Sequence, residues 1–185
     1  MKIYKLKSNV TDFCSFIEDY PDGQESIMRR ALDWEWQSGG IDCSTVKLEL
    51  RRNDFGKKNY EFDVSSALNP FFVFSERAAN ELEDILSSRG VFLPVDTESK
   101  RKKFVGYYPI NSLKCCFNKN GSIYKEYPSG LMIEKNVLVL NNITDEYLFS
   151  IEENVRDVFV TEKFKKRVED SGVLGFDFSF EVQTS

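Results

Sequence analysis

Two triplets in the chain, Ser75-Glu76-Arg77 and Thr161-Glu162-Lys163, have the make-up of a hydroxyl nucleophile beside charged helpers. A Ser or Thr oxygen attacks an acyl or phosphoryl centre only if a nearby base takes its proton, and that base is most often histidine. The sequence contains no histidine. Ser–His and Cys–His pairs are therefore excluded, along with most catalytic zinc sites. A hydrolase would have to run on carboxylates, Lys, Tyr or Cys alone. Helix capping explains both triplets instead: a hydroxyl that accepts from the first-turn amides, then Glu at the positive end of the helix dipole.

Other chemistries fare no better. A metal-dependent nuclease needs an Asp and then Glu-x-Lys on adjoining strands. "IDCSTVKLELRR" offers Asp42, Glu49 and Arg51, with Arg in the lysine's place and Glu49 at an exposed position of an alternating strand. Cys14, Cys43, Cys115 and Cys116 form no CxxC pair. In strand-like sequence the vicinal Cys115 and Cys116 face opposite ways, which suits two separate buried thiols; reduced thiols are expected. Gly39-Gly40 lacks the Gly-Lys-Ser/Thr of a phosphate loop, and Gly121 stands alone. No metal and no cofactor are expected. The basic run Lys100 to Lys103 in "ESKRKKF" reads as a solvated loop, because a net charge of −5 and a pI near 5.0 oppose a nucleic-acid footprint.

The acidic side points to a protein partner. Asp12, Glu18, Asp19, Asp22, Glu25 and Glu35 crowd the first fifth of the chain, with Trp34 and Trp36 flanking Glu35. Tryptophan is enriched at interface hot spots, and carboxylates steer association with basic proteins. These eight residues are the candidate contact set; the competing reading is a solvated helix face and two core tryptophans.

The elements that must position these residues follow from patterning. Apolar residues make up 41% of the 185 and aromatics 14%, which is enough for a real core. No window supplies the apolar run of about 18 residues that a membrane span needs, and the N-terminus lacks a signal-like apolar stretch, so a soluble cytoplasmic protein is expected. Ile3 and Leu6 mark a first strand, and Phe13, Phe16 and Ile17 suggest a helix from Thr11 to the turn at "YPDG". "ESIMRRALDWEWQSGG" reads as a short helix, alone or running into an irregular loop. "STVKLELRR" alternates as a half-buried strand, with "YEFDV" as its expected hairpin partner.

From there a unit appears twice. Phe71 to Phe74 form a strand, Ser75 caps a helix carrying Ala78, Leu82, Ile85 and Leu86, Gly90 ends it, and "VFLPV" resumes extended structure. Later, Val158 to Val160 form a strand, Thr161 caps, Phe164 and Val168 face the core, and Gly172 or Gly175 precedes "FDFSF". Between them lie strands at Val105 to Ile110, at "SIYKEYPSGLMIEKNVLVL" with a turn at Glu134 to Asn136, and at "EYLFSI". Roughly eight or nine short strands with three or four helices give an α+β fold with mostly antiparallel sheet, in which the doubled strand-helix-strand unit forms two subdomains sharing a sheet or core.

The order of "VFSERAANELEDILSSRGVFLPV", "YYPIN", "EYLFSI" and "VFVTEKFKKRVEDSGVLGFDF" resembles immunity protein family eleven of bacterial polymorphic toxin systems, once a domain of unknown function. The likeness spans residues 60–182. This chain departs in having Thr161 for the usual Ser, and no Pro before the last Val of "FSFEVQTS". The resemblance implies a variable N-terminal segment, 1–57, packed on a main domain, 58–185, or one continuous domain. It also implies a cytoplasmic protein that binds and neutralises a cognate toxin encoded beside it, with no nucleic-acid or membrane partner and no catalytic residues to transfer. The alternatives are a carboxylate-based or metal-dependent hydrolase, or a protein-interaction module unrelated to toxins.

Overall fold

A computed structural model describes residues 1–20, 23–34, 40–128 and 130–185. The first part of the chain contributes β1 (Ile3–Lys5), β2 (Lys7–Ser8), β3 (Ser15–Glu18), helix α1 (Ile27–Trp34), β4 (Val46–Arg51) and β5 (Val64–Ser65). The first copy of the doubled unit follows as β6 (Phe72–Ser75), α2 (Glu76–Glu81), α3 (Glu83–Leu86) and β7 (Gly90–Leu93). Then come β8 (Val95–Thr97), β9 (Phe104–Pro109), β10 (Ser112–Leu113), the hairpin β11 (Ile123–Tyr127) and β12 (Gly130–Lys135), and β13 (Val137–Leu138). The last part is β14 (Leu148–Ile151), β15 (Asn154–Thr161), α4 (Glu162–Ser171), β16 (Phe176–Asp177) and β17 (Glu181–Thr184). The class is α+β with mostly antiparallel pairing; the strands are shorter and more numerous than patterning suggests.

The two copies have the same local design. β6 and β7 both pair antiparallel to β9, which lies between them; β15 and β17 both pair antiparallel to β1, which lies between them. Each copy is thus a strand-helix-strand crossover split by an inserted strand. The backbone repeats the arrangement in detail: the Glu76 amide donates to the Lys103 carbonyl (2.9 Å) and the Glu162 amide to the Lys2 carbonyl (3.0 Å), each just before the inserted strand. In the first copy the inserted strand follows in the chain; in the second it comes from the N-terminus. Residues 1–57 therefore supply the middle strand of the second copy as well as β3 and β4.

The copies sit in separate sheets, ordered β5-β6-β9-β7 and β10-β14-β15-β1-β17-β13, and share one core. Phe72, Phe74, Tyr107, Leu82 and Leu86 from one side meet Tyr4, Val158, Val160, Phe164 and Val168 from the other. Both sheets are covered on their second faces too. Ile3, Phe149 and Phe159 pack on Cys116, Phe117 and Ile143, while Val73, Phe71 and Tyr108 pack on Phe16, Val46, Leu48 and α1. With about 25 cal/mol gained per Å² of apolar area removed from water, this two-sided burial dominates the stability.

Several expectations are corrected. The segment from Thr11 is a turn followed by β3, not a helix: Ser15 to Glu18 pair antiparallel with Arg51 to Leu48, and the strand's exposed edge position falls at Ile17. With β3 on one side of β4 and β8 parallel on the other, no place remains for "YEFDV"; only Val64-Ser65 extends, against β6, and Phe62 fills the core. Gly90 opens β7 rather than closing the helix, which ends at Leu86. β12 continues through Lys135, so Glu134-Lys135 is strand, and the chain reverses between Tyr127 and Gly130. Cys115 takes a left-handed conformation and is exposed, so only Cys116 of the vicinal pair is buried, as is Cys14.

Candidate functional site

The triplets resolve into folding devices. The Ser75 hydroxyl accepts from the Ala78 amide (3.1 Å) and donates to Asp63 Oδ1 (2.6 Å). Arg77 donates to the carbonyls of Ser171 (3.3 Å) and Gly172 (3.1 Å), where α4 ends and the dipole is negative. One copy's Ser-Glu-Arg therefore starts its own helix and finishes the other's. Thr161 does not cap. Its hydroxyl donates to the Glu146 carbonyl (2.8 Å) and its amide to the Tyr147 carbonyl (3.0 Å), on the chain that leads into β14.

Asp63 is the node behind this arrangement. Its side chain is 1% exposed, and besides Ser75 it accepts from the Leu174 amide (2.8 Å) and pairs with Lys102 (2.7 Å). Burial alone would push its carboxyl up; hydrogen bonds from Lys102, Ser75 and Leu174 outweigh that and hold it below the usual value. An Asp in an alternating run suggests a solvent-facing position, and sequence reasoning overlooked it.

Of the eight candidate contact residues, five are described, and they differ in exposure and partners. Asp22, Glu35 and Trp36 lie outside the described residues. Asp12 is exposed at a turn, its carboxylate accepting from the Asn9 amide group (2.8 Å) and its carbonyl from Asn53 and Asn59. Glu18 caps α1: its carboxylate accepts from the Ile27 amide and lies 3.7 Å from Arg30. Burial raises its pKa, with Ile27 and Arg30 opposing. Trp34 is buried, edge-on to Tyr108 with ring centres 4.8 Å apart. Glu25 is exposed just before α1, and Asp19 is exposed just after β3.

Asp19 gains company that the linear order hides. β4 lies between β3 and β8, with Ile17 opposite Glu49 and Lys47 opposite Asp96, while the Asp19 amide donates to the Lys47 carbonyl. Directly opposed residues share a face. A shallow groove across that face is lined by Asp19, Glu49, Asp96 and Glu98 with Lys47, and Ile17, 40% exposed, stands on the same face. The opposed Lys47–Asp96 pair is attractive; with Asp19, Glu49 and Glu98 beside it, the face carries four carboxylates against one ammonium. The sequence signal for Asp96 and Glu98 was only their spacing in "VDTE"; the parallel partnership with β4 was not readable. Asp42 lies apart, accepting from Arg30 and from the Ser44 amide and hydroxyl. Among the described residues, no group of three or more His, Cys, Asp or Glu is arranged to hold a metal ion. No described helix is long and apolar enough to cross a membrane. Compared with models of known protein families and with curated proteins, the chain gives no match.

Proposed function

We propose that this chain is a cytoplasmic immunity protein: it binds a cognate bacterial toxin, encoded next to it, in fixed stoichiometry and neutralises it without catalysis. The resemblance in the doubled unit supports this reading. The observation that carries it to a surface is the outward face of the β3-β4-β8 sheet, where Asp19, Glu49, Asp96 and Glu98 surround Lys47 beside exposed Ile17. An excess of carboxylates on one face is complementary to a partner that supplies the opposite charge. A basic cleft would be attracted at long range and then meet the exposed Ile17 beside the carboxylates.

The test is co-purification with the product of the neighbouring reading frame, followed by association kinetics with Asp19→Lys, Glu49→Lys and Asp96→Lys variants. Slower association with each reversal, losing its salt dependence, supports the reading. Unchanged kinetics with all three reversals removes this face from the account.

A further inference from the structure

The basic run at residues 100–103 is not a free loop. Lys100, Arg101 and Lys102 form one wall of a groove of about 750 Å³, whose other wall is residues 58–62, while Lys103 turns to Glu76. Half-buried Leu50 and Phe104 give the groove its apolar floor, and Phe104 is backed by fully buried Phe62, stacked on it at 5.4 Å between ring centres. Lys58, Lys100 and Arg101 stand on the rim, exposed and in no ion pair among the described residues. Glu61 and Glu98 are the carboxylates that share it.

Lys102 differs from its neighbours in being fixed. Its ammonium donates to Asp63 Oδ1 (2.7 Å) and to the Phe62 carbonyl (2.6 Å), and the side chain keeps 27% exposure on the groove. An ammonium has three donors. Two hold it to the protein, so one remains, pre-organised, beside three unpaired cations.

We propose that this groove binds a small amphipathic anion: one anionic head, carboxylate or phosphate, on an apolar body. The head sits among Lys100, Arg101 and Lys102, and the body covers Leu50 and Phe104. The volume lies in the range of small-molecule sites, which are mostly apolar with a few placed polar groups. Nucleic acid is a poor fit, since a polyanion needs a broad basic footprint and here the acidic face begins at Glu98, which borders both grooves.

The experiment is a nitrogen-15 amide NMR titration of the full chain with decanoate, adenosine monophosphate and inorganic phosphate in separate arms. Saturable shifts at residues 58–62 and 98–104 with decanoate or the nucleotide, at a Kd of about 1 mM or below, support the proposal, and the arm that binds identifies the head group. The double variant Lys100→Glu/Arg101→Glu changes only exposed side chains and should weaken binding by about tenfold or more. Three results overturn it: no saturable shift in that groove, inorganic phosphate binding as tightly as both amphiphiles, or a double variant that binds like the parent. None of these bears on toxin binding, which is read separately.

Discussion

Replacing Asp63 with Asn removes one charge and changes almost no volume, so it isolates the clasp between the two copies. Oδ1 accepts from Ser75 and Lys102, and Oδ2 accepts from the Leu174 amide. If the Asn carbonyl takes the Oδ1 place, its NH₂ faces the Leu174 N–H, donor against donor. If it is flipped, the NH₂ faces the Lys102 ammonium and a Ser75 hydroxyl already accepting from Ala78. Neither orientation satisfies the site. Breaking a buried pair costs about 3–5 kcal/mol, and one lost charge-assisted hydrogen bond about 1.5–3 kcal/mol. Asp63→Asn should therefore cost about 3–5 kcal/mol at pH 7, lowering Tm by about 10 °C in a chain of this size. The pH dependence has a definite sign. Because the folded-state pKa is depressed, the stabilisation is fully present above the unfolded value, 3.8, and is lost as pH falls through the folded value. Urea unfolding of parent and variant at pH 7, 5 and 3 should show the gap wide at the first two and narrowed at the third. A gap under about 1 kcal/mol at pH 7, or one that stays constant with pH, refutes the clasp.

At Gly90 a Cβ would run into the Tyr107 ring, whose hydroxyl donates to the Leu86 carbonyl (2.9 Å), so Gly90→Ala should cost about 1–3 kcal/mol in thermal unfolding. Glu18→Gln keeps an acceptor for the Ile27 amide and removes a partly buried charge, so it should stay within about 0.5 kcal/mol of the parent in urea unfolding, whereas Glu18→Ala should lose about 1–2 kcal/mol. Asp19→Asn/Glu49→Gln/Asp96→Asn removes the attraction between Lys47 and its opposed Asp96 along with the crowding of carboxylates, so by calorimetry stability should stay within about 0.5 kcal/mol of the parent. The same triple variant should slow toxin association about tenfold at low salt, with the difference fading at high salt in stopped-flow measurements.

What the sequence shows and what it hides divide along local and long-range physics. The alternation of Val46, Leu48 and Leu50 is visible because a strand with one wet face must alternate; Val46 and Leu48 are buried and Leu50 partly so. The Ser75 cap and the amphipathic α1 are equally local. The doubled unit is legible as a repeat, but the strand splitting each copy is not, since β9 and β1 come from opposite sides of their units in the chain. Phe13, Phe16 and Ile17 fit a helical period, yet Phe16 is drawn into edge-on contact with Phe62 and Phe104, and β4 makes the segment a strand. Asp63 escapes because the alternation of "YEFDV" assigns its position to solvent, whereas it lies just before β5 and turns inward to Ser75, Lys102 and the Leu174 amide. At the candidate surface, Asp19 is legible as an acidic residue; Glu49, Asp96 and Glu98 join it only through pairing between distant segments.

If this protein acts by occupying another protein, as proposed, inhibition has a fixed stoichiometry. Titrating the purified neighbouring toxin with this chain, and following residual toxin activity, tests it most directly. A stoichiometric inhibitor gives a linear fall to zero at a fixed molar ratio, independent of incubation time. Loss of activity at a small fraction of that ratio, growing with time, would mean turnover and would contradict it.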